Sequence, residues 1–230
     1  FGDTSTIYLT EEEEERIIML KVNTARMDKN WDAILSDAQQ MPEIESYTYS
    51  MLEIGENFMH TKYMNEEHSW YLRVVYASPD YFNFFNVPMQ GKVVDANAEN
   101  MVYVSRAFYN QLQKDGVAGV VKLDDYEYQI AGVYESLHKE PGLVGQYIGS
   151  VVQPTLSDIY YYFRLTPQAD AKACVKKLET ICRKYVPETL PLEICLMSDR
   201  TKTTAGTVEL ISYVFLLLGF ISLLVVILSI

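Results

Sequence analysis

Residues that carry chemistry are scarce in this sequence: of 230 residues, three are cysteine and three are histidine. Cys174 and Cys182 sit eight residues apart on one expected helix. That spacing is roughly 12 Å along the axis, too far for a bridge between them. Cys195 falls on an expected strand that packs near either. A free, buried thiol behaving as a small hydrophobe is the simpler reading. A Cys195 disulfide or a metal site is the sharper one, and no spacing resembles a zinc motif. His60 and His68 flank a polar stretch, KYMNEE, that reads as a loop, and His138 stands apart. Glu66 or Glu67 would complete a ligand set with the first two histidines, but nothing in the spacing fixes their geometry, so no metal is expected. A GxxxxGK phosphate loop and a GxSxG nucleophile elbow are both missing. No ATPase motif lies in the chain, and no catalytic, cofactor-binding or metal-ligating set is expected.

Positive charge is also short. Lysine and arginine number 19 against 31 acidic residues, a formal charge of −12. Such a surface repels phosphate backbones, which argues against nucleic acid as a partner. The acidic run at residues 11–15 reads most simply as a solvated stretch ahead of the first strand. Asp124-Asp125 reads as a turn. The 18 tyrosines mostly alternate along expected strands, where sheet pairing explains them before any carbohydrate or peptide does.

What the chain has in abundance is one apolar run. Residues 210–230 read LISYVFLLLGFISLLVVILSI without a charge. A bilayer core takes roughly 20 such residues as a helix, and a soluble helix of this length would keep a polar face. A transmembrane helix that the end of the chain cuts short is therefore expected. Its position excludes a cleavable signal peptide. The flank before it holds Arg200 and Lys202 beside Asp199 and Glu209, which says little about orientation. Thr203 or Thr204 is the expected N-cap of this helix, with Glu209 near its positive end.

The remaining residues, about 205, suffice for one large or two small domains. They contain a faint repeat of pattern. The first copy runs from ERIIMLKVNT, an apolar strand, into NWDAILSDAQQM, whose Trp31, Ile34, Leu35 and Ala38 share a helical face. Pro42 ends that helix, and IESYTYSML is a strand. The second copy starts with the aromatic strand IYYYFRL at residues 159–165. Asp170 then opens a helix with Ala173, Val175, Leu178, Ile181, Cys182 and Tyr185 at helical period, and LEICLM at 192–197 is a strand. Two β-α-β units in one sheet make a split βαβ, ferredoxin-like sandwich.

Between the copies the chain is β-rich. WYLRVVYAS at 70–78 reads as a strand. A short helix follows, opened by Ser78 with Pro79 at its first position. Its Tyr81, Phe84 and Phe85 share one side, and with Phe82 they form an aromatic cluster. Core packing is the plain reading of that cluster, and a substrate-contact patch the sharper one. MVYVS is a strand and RAFYNQLQ a helix. VVKLDDYEYQIAGVYESL is a hairpin, and YIGSVVQP at 147–154 is a further strand.

In this order the motifs resemble the extracytoplasmic domain of FtsX-like/MacB-type ABC transporter permeases. VVYASPDYFNFFNVPMQGK is similar to the family's strand followed by Ser-Pro-acidic-Tyr-Phe, an apolar-Pro turn and a Gly-basic pair. NMVYVSRAFYNQL, YEYQIAGVYESL and IYYYFRLTPQAD resemble the elements that follow, and a span comes at the expected distance. KDGVAGVV departs from the family's Pro-Ile-Gly-Lys-like turn. Before Val74 the likeness is of pattern alone.

The resemblance implies an α+β fold. A porter-like split βαβ lobe comes from residues 1–56 and 156–204, with an inserted β-rich lobe at 57–155 and a transmembrane helix at 205–230. It implies a permease of four spans in the bacterial inner membrane, with this domain on the periplasmic side and one span upstream. The partners it implies are membrane lipid, a cytoplasmic ABC ATPase subunit or fused domain, a second permease in a homodimer or heterodimer and, as an option, a periplasmic adaptor. The implied role is to couple ATP hydrolysis to extracytoplasmic movement in efflux or release of a drug, antimicrobial peptide or lipoprotein. The alternative is the sensing domain of a membrane receptor, which is also extracytoplasmic and followed by a span. A membrane-anchored enzyme is disfavoured by the missing catalytic constellation.

Overall fold

The computed structural model describes residues 8–23, 31–51, 59–64, 69–78, 80–91, 100–123, 126–135, 142–146 and 158–200. The apolar run at 210–230, Thr203, Thr204, the Asp124-Asp125 turn and the strand expected at 147–154 lie outside the described residues. Among the described residues no helix is long and apolar enough to cross a membrane.

The chain opens with a helical turn, α1 (Glu11–Glu14), and enters β1 (Ile17–Asn23). The acidic run, expected as a solvated stretch, buries none of its residues. A capping box makes it a turn: Thr10 Oγ1 accepts from the Glu13 amide at 3.2 Å, and the Thr10 amide donates to Glu13 Oε2 at 2.8 Å. Both satisfy donors that a helix start leaves open. Then come α2 (Trp31–Gln39) and β2 (Ile44–Ser50). Ile34 and Ala38 of α2 are buried, with Trp31 and Leu35 packed beside them, as the period dictates.

β10 (Asp158–Leu165), α5 (Ala171–Arg183) and β11 (Glu193–Leu196) form the second unit. Asp170 caps α5, its Oδ1 accepting from the Ala173 amide at 3.0 Å. Cys174, Leu178 and Cys182 form the buried row of α5, and Ala173 is exposed. The expected stripe was thus one residue off at its first turn, because positions four apart stack on one face. β1 pairs antiparallel with both β10 and β11, and β10 pairs antiparallel with β2. The order β11-β1-β10-β2 is the split βαβ arrangement, with each helix crossing between strands that are not neighbours.

The chain between β2 and β10 extends the same sheet. Its strands are β3 (Met59–Met64), β4 (Ser69–Ala77), β5 (Met89–Gly91), β6 (Met101–Ser105), β7 (Val120–Leu123), β8 (Tyr126–Tyr134) and β9 (Gly142–Gln146). Two helices accompany them, α3 (Tyr81–Phe84) and α4 (Arg106–Lys114). The order continues β2-β4-β9-β6-β8-β5, with β3 beside β4 and β7 beside β8. The KYM of the stretch read as a loop is the end of β3, a hairpin partner of β4 with Tyr63 buried.

Alternation along the strands sorts the core into three clusters. Ile18, Leu20, Tyr161 and Phe163 face α2 and α5. Leu72, Val102, Val104 and Val133 face Phe108 and Leu112 of α4. The opposite face carries Ile17, Met19, Tyr160 and Tyr162 of the first half and Ala77, Tyr103 and Tyr134 of the second, all gathered around α3. Cys195 packs on this last face, whereas Cys174 and Cys182 lie on the other. Cys174 and Cys182 are buried free thiols, and burial pushes the Cys182 thiol up to about 12.

Candidate functional site

Where one sheet must serve two halves, the seam between them decides how movement passes. Most neighbouring strands hold three to seven register pairs, but β2 and β4 hold one, Ser50 with Ala77. Two backbone bonds flank it: the Met51 amide donates to the Tyr76 carbonyl at 2.8 Å and the Ser78 amide to the Tyr49 carbonyl at 2.9 Å. Beside them the hydroxyls of Thr48 and Ser78 share a buried hydrogen bond of 2.5 Å. Ser78 was expected to cap α3 with its side chain. Its hydroxyl is committed across the seam instead, and Asp80 stands at the N-cap without a side-chain bond.

The short helix α3 sits over this seam. Its three aromatic residues, Tyr81, Phe82 and Phe84, are buried, and so is the following Phe85. Phe82 reaches into the second half, with ring centroids 5.1 Å from Tyr103 and 4.9 Å from Tyr134. Phe85 reaches into the first, 5.0 Å from Tyr162 in an edge-on contact. Tyr81 touches both, at 5.9 Å from Phe82 and 4.9 Å from Phe85. Rings in such tilted geometry gain roughly 0.5–1.5 kcal/mol per pair beyond their burial. Burial pushes the Tyr81 and Tyr134 phenols well up, so both stay neutral.

Polar contacts pin α3 to the first half. Arg164 donates to the Phe84 carbonyl and lies 5.0 Å over the Phe84 ring. It also pairs with Glu13 at 3.6 Å, while Asn86 Nδ2 donates to the same Glu13 Oε1 at 2.8 Å. Asn86 takes a left-handed conformation, φ 54°, which asparagine tolerates better than most residues. The Thr10 amide, with help from Asn86, the Thr10 hydroxyl and Arg164, holds the Glu13 carboxyl below its usual range. A depressed carboxyl contributes stability above its unfolded pKa, and that contribution is lost as pH falls through the folded value. Glu13→Gln should therefore lower the melting temperature at pH 7, with the difference shrinking toward zero as pH drops below 4. A pH series of thermal melts checks this, and a difference that stays constant would contradict it.

The chain leaves β11 directly at this place. Residues 197–200 are helical, with Met197 and Ser198 buried. Met197 belongs to the same cluster as the rings of α3. The strand expected over 192–197 thus gives way at Met197 to a helical turn, six residues ahead of Thr203.

His60 lies on β3, and Glu66, Glu67, His68 and His138 lie outside the described residues. Among the described residues no group of three or more metal-ligating side chains converges. Sequence reasoning found the aromatic cluster but missed its two-sided placement. The only available signal was that Phe82 falls off the side shared by Tyr81, Phe84 and Phe85.

No protein-family model matches the chain, and no curated protein matches it significantly. Solved structures do. The periplasmic region of MacB from Actinobacillus actinomycetemcomitans superposes with a TM-score of 0.63 at 10% identity, over 88% of this chain and 98% of that one. A domain of what is described as a permease protein from Porphyromonas gingivalis gives 0.56 at 15% identity, over 79% and 89%. The extracellular domain of the noncanonic ABC-type transporter YknZ from Gram-positive bacteria gives 0.53 at 8% identity, over 73% and 93%. At these identities the likeness is one of fold: the chain has the α+β fold of a MacB-like periplasmic domain.

Proposed function

We propose that this chain is the extracytoplasmic part of an ABC transporter permease, a mechanical element that moves when a cytoplasmic partner hydrolyses ATP. The observation that carries the reading is the fold, matched across nearly the whole length of a MacB periplasmic region. In this reading residues 1–56 and 156–204 make the porter-like lobe and 57–155 the insert. Residues 205–230 are the membrane helix, in the bacterial inner membrane. Hydrolysis belongs to a separate nucleotide-binding subunit or domain, and the permease works as a dimer. The cargo is a drug, an antimicrobial peptide or a lipoprotein. The three structures above are described as transporter or permease domains, which favours this reading over a receptor sensor.

Sidedness tests it. Glu127 on β8 is exposed, and Glu127→Cys in a Cys195→Ala background offers a surface handle, with Cys174 and Cys182 both buried. In cells whose outer envelope has been opened but whose inner membrane is intact, a membrane-impermeant maleimide should label this variant fully. Labelling that appears only after lysis of the inner membrane would overturn the assignment.

A further inference from the structure

We propose that the ring chain of α3 is the joint that makes the two halves of the sheet act as one body, and that it takes its input from the chain leaving β11. Three observations converge on it. Among the described residues the sheet is narrowest at the seam, with one register pair between β2 and β4. Backbone pairing there is too thin to tie the halves, since sheet cohesion comes from repeated cross-strand pairs. The side chains supply the tie. Rings run without a break from Tyr134 and Tyr103 through Phe82, Tyr81 and Phe85 to Tyr162. Finally, Met197, the first residue after β11, is buried in that same cluster. A displacement of the chain beyond residue 200 therefore meets the cluster that, among the described residues, touches both halves. Close-packed interiors transmit such strain with little loss.

The joint serves the motion-transmitting function proposed above, but its existence is tested without a transporter. Its failure would leave the permease reading standing. The experiment is native-state hydrogen exchange on the full chain in mild detergent, comparing strands β1 and β10 with β6 and β8. Cooperative units show a common opening rate, and separable units do not. In the native chain the slowest amides of both halves should exchange at one rate. Phe108→Leu removes packing inside the second half alone, where Phe108 is fully buried in the α4 cluster. With the joint intact it should speed exchange in both halves equally. Phe82→Leu should break the coupling, so that β6 and β8 exchange about tenfold faster than β1 and β10, or more. Phe85→Leu tests the other arm and should give the same split if Phe82→Leu fails to fold. The joint is overturned by halves that already differ in the native chain, by Phe108→Leu acting on the second half alone, or by joint variants that speed both halves equally. The last result would make these rings ordinary core.

Discussion

Phe85→Ala should lower the unfolding free energy by about 3–5 kcal/mol, the usual range for deleting a buried phenylalanine ring. Phe85 is 0% exposed and meets Tyr81, Phe84 and Tyr162 at 4.9–5.0 Å. Its removal leaves a cavity that the sheet floor on one side and three rings on the other cannot collapse to fill. The tightness of packing sets the loss near the upper part of that range. Tyr126→Ala removes an equally large aromatic that is 67% exposed, and should change stability by less than about 0.5 kcal/mol. Urea titration of the two variants, followed by tryptophan fluorescence, compares them directly. A loss under about 1 kcal/mol for Phe85→Ala would mean that the cluster over the seam is loosely packed.

Much of the fold was legible because its signals are local. The α2 face of Trp31, Ile34, Leu35 and Ala38 follows from helical period, and Asp170 announces α5 by its own chemistry. A run of aromatics marks β10, which pairs on both edges and packs one face against α2 and α5 and the other against the α3 cluster. The elements that escaped draw their stability from elsewhere. β9, GLVGQ, carries two glycines in five residues and has little strand preference of its own. It holds its place because β4 pairs with it in parallel on one side and β6 antiparallel on the other. β3 is polar because it is a flanking strand, held by its hairpin with β4.

The seam shows the same limit more sharply. Ser78 in Ser-Pro-Asp has the form of a helix cap, and nothing local reveals that Thr48 takes its hydroxyl. The sequence alone also offered Tyr81, Phe82, Phe84 and Phe85 as plain core, which is where burial puts them. That Phe82 and Phe85 lean on opposite halves depends on partners in β6, β8 and β10. Those partners meet only once the sheet is assembled. The cysteines resolve for a similar reason: strand alternation sends Cys195 to the face opposite α5, beyond reach of Cys174 and Cys182.

In the function proposed above, movement at the membrane reaches this domain through the chain that follows β11. A slack linker cannot carry displacement, while loop insertions cost folding little. A flexible Gly-Ser stretch inserted after Thr204 should therefore leave the domain folded and anchored but mechanically disconnected. The readout needs no knowledge of the cargo. A spin label at Glu127→Cys, which is exposed, reports the distance between the two copies of this domain in the permease dimer proposed above, with Cys195→Ala removing the half-buried thiol. In the complete transporter reconstituted in vesicles, ATP with vanadate should shift that distance distribution. The same addition to the Gly-Ser variant should leave it at the nucleotide-free position, at equal membrane abundance and with ATP still hydrolysed. An identical shift in both proteins, or none in the native one, would contradict the account.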